Sequence, residues 1–178
     1  MSSAHTVPSG CPNPVAQTLG LGASATLLGA GFAITVQAIP AILLSPRDLL
    51  LRQWRTIYDV GIAYGPPFAV TSCLSLGYVA YDSYGSDSAD WMVYAFSGLC
   101  TVGIVPFTKL TLDDINATLI AEGGVDGGSS VLMAKKTEAK GLEEKEVREL
   151  VKRWWFWNLM RMMMPLVGTV MGLWTALK

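Results

Sequence analysis

The stretch Thr18–Leu44 reads TLGLGASATLLGAGFAITVQAIPAILL and contains no acidic, basic or histidine side chain. Wound into a helix, it is apolar or small on every side, whereas a soluble amphipathic helix keeps one polar face. It exceeds the roughly 20 apolar residues needed to cross about 30 Å of hydrocarbon. A soluble helical bundle is therefore the weaker reading, and a transmembrane helix the stronger. Three further segments repeat the pattern: Thr56–Tyr81, Trp91–Leu112 and Trp155–Leu177. The fold class expected is all-α, an integral membrane four-helix bundle with a long, partly helical third loop. It forms one domain, 18–178, behind a disordered tail, 1–17.

Composition agrees. The chain has 178 residues, is 51% hydrophobic and carries a net charge of −1, with a mean hydropathy of +0.39. That length fits one domain, and the charge offers no surface for nucleic acid. The first seventeen residues hold no Lys or Arg, so the basic start of a cleavable signal peptide is missing. Cys11, Cys73 and Cys100 share no close spacing, which supports neither a disulfide framework nor a zinc site.

Basic residues set the expected orientation. The first loop holds Arg47, Arg52 and Arg55, and the third holds Lys135, Lys136, Lys140, Lys145, Arg148, Lys152 and Arg153. The tail and the acidic second loop, DSYGSDSAD, hold none. Loops one and three are thus expected in the cytosol and both termini opposite. In loop one, Ser45 should cap a helix with Pro46 at its first position, laying Leu49, Leu50 and Trp54 against the membrane surface. In loop three, Val147, Leu150, Val151 and Trp154 follow helical spacing, with Glu144–Arg148 and Glu149–Arg153 as i,i+4 pairs on the wet side. That helix should run straight into the fourth span. The small residues of the first span, Gly20, Ala23 and Gly31 among them, suit close helix packing in lipid.

The fourth span opens with WWFWNLMRMMMPLVG, Trp154 to Gly168. Trp154, Asn158, Arg161 and Pro165 are spaced four, three and four residues apart, so they share one helical face, continued by Gly168 and Gly172. Arg161 lies about 10 Å along the axis from Trp154. An arginine at the centre of a span costs about 2.5–3.5 kcal/mol. Either it snorkels from an aromatic belt, or it serves a site. Asn158 on the same face favours a site, because a snorkelling arginine needs no buried amide. Gln53, Trp54, Tyr58, Asp59, Lys109, Asp113, Asp114 and Asn116 gather at the same end of the expected bundle. A site there should open on the cytosolic side.

The inventory narrows the chemistry. His5 is the only histidine, which argues against haem, a histidine-ligated di-iron centre, copper or a histidine triad. Asp113 and Asp114 are too few for a metal, and no dinucleotide fingerprint is present. Asn116–Thr118 forms a glycosylation sequon that the expected topology leaves unmodified.

PAILL…LLLRQWRTIYDVG, PFTKLTLDDINATL and LVKRWWFWNLMRMMMPLVG, in that order, resemble the anthrone oxygenase family of small four-helix membrane proteins of fungal aromatic-polyketide pathways. The approach to Asn116 reads LTLDD, a departure from the expected Pro-Thr-like pattern. The resemblance implies a cofactor-independent oxygenase that converts an anthrone to an anthraquinone with O2 as co-substrate. It assigns Arg161, helped by Asn158, to the developing oxyanion and Asn116 to a ring hydroxyl. Trp154, Trp54 and Tyr58 become walls around the substrate, with Gln53 in the binding set. Asp59 or Asp114, or a polarised water, becomes the base. The partners implied are a flat aromatic polyketide, the lipid bilayer and possible pathway enzymes, in an endoplasmic reticulum or vesicle membrane. Nothing in the sequence sets an oligomeric state. The competing readings are a non-enzymatic scaffold that tethers pathway enzymes through the third loop and a transporter for a small aromatic. Four spans without an inverted repeat weigh against the transporter.

Overall fold

The structure, a computed structural model, describes residues 13–84, 89–124 and 138–178. Most of the expected N-terminal tail and the first part of the third loop lie outside these residues. The described chain is all-helical: α1 Pro14–Ala33, a π-helical turn Ile34–Ala38, α2 Ile39–Ile42, α3 Arg47–Ser83, α4 Asp90–Val102, α5 Ile104–Thr111, α6 Asp113–Glu122 and α7 Glu144–Ala176. Packing runs α1 on α3, α3 on α4, α4 on α7 and α7 back on α1.

Helix starts follow local chemistry. Asn13 Oδ1 accepts the backbone N–H groups of Val15 and Ala16, and Pro14 occupies the first turn, where its missing donor costs nothing. Helix α1 therefore begins four residues before the expected span. The π turn has its cause in Pro40. Proline cannot donate to the ladder, and the adjoining Ile39 N–H reaches back to Ile34 O. The carbonyl of Thr35 is thereby released for other work.

Helix α3 is 37 residues long, about 55 Å, and joins loop one and the expected second span in one rod. Its start differs from the expected cap. Pro46 is the N-cap with no side-chain bond, and the Ser45 hydroxyl donates instead to Gln53 Oε1 at 2.9 Å. Leu50 and Trp54 are fully buried, not laid on an outer surface, and only Leu49 remains exposed. Helix α7 begins with a Glu143–Glu146 capping box and continues for 33 residues, so the loop-three helix does run into the last span. Glu144 pairs with Arg148 at 2.6 Å, whereas Glu149 takes Lys152 at 2.8 Å in place of the expected Arg153.

Among the described residues, three runs are long and apolar enough to cross a membrane: Pro14–Ile42, Asp90–Thr111 and Glu144–Ala176. The segment of α3 that carries the expected second span is diluted by Tyr64, Gly65, Pro66, Pro67, Ser72 and Ser75 and does not join them.

Close packing uses glycine where helices meet. A Cβ on Gly168 would lie 2.7 Å from Ser97 O, a backbone atom that cannot swing away. Beside it, the Ser24 hydroxyl lies 2.8 Å from Thr101 Oγ1 and 2.7 Å from Thr169 Oγ1, joining α1, α4 and α7 through buried hydroxyls. Gly168→Ala is expected to overpack this crossing and cost about 1–3 kcal/mol. A lowered thermal midpoint of the detergent-solubilised protein measures it.

The end of the bundle near α6 has an apolar core of Ile39, Leu50, Trp54, Leu119, Val151 and Trp154, among others. A polar latch covers it. The Glu122 side chain is 1% exposed and meets Arg47 Nη2 at 2.9 Å. It also accepts the backbone N–H groups of Lys140 at 2.6 Å and Leu142 at 3.0 Å. Arg148 donates to the carbonyls of Leu43 and Ser45. Burial pushes the Glu122 carboxyl upward, but the backbone donors of Lys140, Leu142 and Gly141 together with Arg47 outweigh it and hold the group below its ordinary 4.5. The folded state thus prefers the carboxylate. That stabilisation is complete above the ordinary value and is lost as pH falls through the lowered folded value. Acid unfolding should accordingly begin below about pH 4.5. Glu122→Gln should flatten that limb while costing about 1–3 kcal/mol at neutral pH; denaturation across a pH series reads both.

Candidate functional site

A cavity of about 310 Å³ lies between α1, α3, α5, α6 and α7, within the size range of small-molecule sites. Its walls are mostly apolar: Leu27, Ile34, Ile57, Phe68, Ile104 and Met162. It spans about 16 Å of the α3 axis from Ile57 to Phe68. The site therefore reaches deeper than the opening between helix ends expected from the sequence. Thr26, Ala30, Val60, Gly61 and Tyr64 line it and are exposed on the outside of the helices, so its mouth reaches the molecular surface there.

Arg161 enters this cavity from α7. Its Nη1 donates to Thr108 Oγ1 at 3.0 Å and its Nη2 to Asn158 Oδ1 at 2.6 Å. Both acceptors are neutral. No carboxylate among the described residues forms an ion pair with it, and the buried Nε has no acceptor among them either. The cation is therefore held in place without its charge being cancelled, which is the condition for attracting an anion.

The support behind it traces back to Pro40. Thr35, in the π turn, donates its hydroxyl to Gly31 O at 2.7 Å and accepts Asn158 Nδ2 at 2.8 Å. Asn158 Oδ1 then faces the guanidinium, which has donors only. The released Thr35 carbonyl accepts Trp155 Nε1 at 2.7 Å. Asn158 is fully buried and stands behind Arg161, outside the cavity wall. Thr108 donates to Ile104 O at 2.7 Å, which turns its lone pairs toward Arg161.

A second set comes from α6 and the head of α7. Trp154 Nε1 donates to Asn116 Oδ1 at 2.9 Å, and both residues line the cavity. Asn116 Nδ2 has no acceptor among the described residues and remains available as a donor. Tyr58 also lines the cavity, its hydroxyl without a partner among the described residues. Trp54 stacks on Tyr58 at 5.2 Å and 16° and meets Trp154 edge-on at 6.0 Å. It backs the wall instead of forming it.

Four of the expected residues, Arg161, Asn116, Trp154 and Tyr58, thus meet around one cavity, with Asn158 and Trp54 bracing them. The other three do not join. Gln53 bonds Ser45, Asp59 is ion-paired with Arg55 at 3.0 Å, and Asp114 is exposed; none lines the cavity. Thr35 escapes sequence reasoning, and its only signal is its position upstream of Pro40. Lys109 and Asp113 do line the cavity and face each other at 3.4 Å.

A family model described as anthrone oxygenase matches residues 54–171, a stretch that carries Tyr58, Thr108, Lys109, Asp113, Asn116, Trp154, Asn158 and Arg161 but neither Thr35 nor Gln53. The chain belongs to the anthrone oxygenase family. It is 29% identical over 149 residues to an anthrone oxygenase of Paecilomyces divaricatus, covering 82% of this chain and 85% of that protein. A monooxygenase of Dothistroma septosporum is 31% identical over 151 residues, covering 83% and 75%. An anthrone oxygenase of Pestalotiopsis fici is 31% identical over 144 residues, covering 79% and 95%. No solved structure matches the chain. The chain is an anthrone oxygenase-like monooxygenase, and its role is that of an oxygenase in polyketide metabolism. As an anthrone oxygenase family member it places an uncompensated arginine, an amide and a phenol around an apolar slot.

Proposed function

We propose that the protein oxidises an anthrone to an anthraquinone with O2, without a metal or organic cofactor, as an integral membrane protein with four spans. Its loops one and three face the cytosol of an endoplasmic reticulum or vesicle membrane. The observation that carries this reading is Arg161, a cation held only by neutral acceptors at the wall of an apolar cavity.

An anthrone's central methylene is acidic because losing a proton makes the middle ring aromatic and leaves a phenolate-like oxygen. Arg161 stabilises that oxygen in a low-dielectric site, where fixed donors act strongly. Asn116 Nδ2 and the Tyr58 hydroxyl bind the remaining ring oxygens. The anion gives one electron to O2, the resulting radical and superoxide combine at the former methylene carbon, and the peroxide takes a proton. Loss of water, with cleavage of the O–O bond and of the remaining C–H bond, leaves the second carbonyl. One oxygen atom enters the quinone and the other leaves as water. The exposed, apolar mouth at Ala30, Val60 and Tyr64 lets a lipid-soluble aromatic enter from the bilayer.

The test is purified, metal-stripped protein given a panel of anthrones under O2. Quinone formation above the spontaneous rate, with one O2 consumed per quinone, supports the reading. A requirement for added metal or flavin contradicts it.

A further inference from the structure

We propose that Asp113 is the base that removes the methylene proton; this rests on the proposed anthrone oxidation. The candidates that the resemblance implied, Asp59 and Asp114, lie off the cavity, whereas Asp113 is the carboxylate among its lining residues.

Its position follows from the break between α5 and α6. Leu112 marks a kink, its φ opened to −109° while it stays in the right-handed helical region, and it is itself buried at 1% exposure. Helix α6 then buries Ile115, Asn116 and Leu119 on one face. Asp113 precedes Asn116 by three residues, so the two share that side of the helix. Asp114 is rotated a further 100° and faces outward. The side chain of Asp113 is 29% exposed, enough of it sheltered to act inside the site. Lys109 approaches it at 3.4 Å, at the long limit of a hydrogen bond. The cavity thus brings together an acceptor for a proton at Asp113 and donors for an oxyanion at Arg161, Asn116 and Tyr58.

The step balances. A carboxylate oxygen of Asp113 takes a proton from the ring methylene, and the C–H electron pair passes through the ring to the carbonyl oxygen beside Arg161. After O2 has added, the Asp113 carboxyl returns its proton to the peroxide. The regenerated carboxylate removes the remaining C–H proton as the O–O bond breaks. The departing hydroxide and that proton leave as water. O2 is the sole oxidant.

Proton removal precedes O2, so it can be measured without O2. Purified wild-type protein in D2O under anaerobic conditions should exchange the methylene hydrogens of a bound anthrone faster than solvent alone. Asp113→Asn should lose at least about 100-fold of that exchange, the usual scale for a general base, and of aerobic turnover, while still binding anthrone. Asp113→Glu should recover part of both. Should Asp113→Asn fail to accumulate, Asp113→Ser with added acetate answers the same question. Recovery of exchange by the external carboxylate supports the assignment, and exchange that acetate leaves unchanged overturns it. Exchange by Asp113→Asn at the wild-type rate overturns it as well, and leaves the anthrone reading standing if wild-type protein still forms quinone. If wild-type protein forms no quinone, the functional reading falls and takes this assignment with it.

Discussion

Arg161→Leu is expected to lower kcat/KM for quinone formation by about 10²–10³-fold, the range seen when one oxyanion donor is removed. The leucine is more apolar, so the variant should reach the membrane at normal levels. On the folding side the change removes a buried cation that has no counterion and leaves Asn158 Oδ1 without its donor, while Thr108 keeps its bond to Ile104 and Asn158 its bond to Thr35. A snorkelling arginine with no ligand would predict unchanged turnover. Measuring membrane-inserted protein and quinone formation in the same microsomes separates the two outcomes.

The second expected result uses the opposite change at the adjoining residue. Asn158→Asp keeps the shape of the side chain and places a carboxylate where Oδ1 now accepts Arg161 at 2.6 Å. The guanidinium would then have a counterion in a setting where charge pairs interact strongly. Asp has no donor to replace Asn158 Nδ2, so the Thr35 hydroxyl must turn from Gly31 O to donate to the new carboxylate. With that switch folding is kept, but the field that favours a substrate anion is largely cancelled. Turnover is expected to fall by about 10²-fold, close to the loss from deleting the donor. Thermal stability should stay near that of the wild type, and Asn158→Ala should lose both stability and activity because it removes the donor to Thr35 Oγ1 and the acceptor of Arg161 Nη2. If Asn158→Asp turned over at the wild-type rate, the uncancelled charge of Arg161 would have no catalytic meaning.

Much of this site can be read from the residues. The three-and-four spacing of Trp154, Asn158 and Arg161 specifies a face, and that face is buried in the structure, with Arg161 turned to a cavity. The absence of histidine beyond His5 narrows the chemistry before any coordinates are known. Spacing along a helix does not say which carboxylate faces inward across a helix break. Asp113 and Asp114 are adjacent in sequence, and the turn at Leu112 decides between them. Nor does it tell a wall from its backing: Trp54 and Asn158 lie on the right faces but sit one layer behind Tyr58 and Arg161. Thr35 shows the same limit in the backbone. Its part depends on the π turn that Pro40 imposes, and a threonine in an apolar run carries no mark of that. The start of α3 is a further case. Ser45 and Pro46 form a plausible cap pair by residue type, yet the Ser45 hydroxyl finds Gln53 and the helix starts one residue later.

The proposed chemistry requires a site that holds an anion. The most direct measurement is the absorption spectrum of an anthrone mixed with purified protein in the absence of O2. It should be made at a pH where the free anthrone stays neutral. The spectrum of the ring anion should appear with wild-type protein in proportion to bound ligand, and should be missing with Arg161→Leu. Bound anthrone that keeps its neutral spectrum, in wild-type protein that forms quinone once O2 is admitted, would contradict the account.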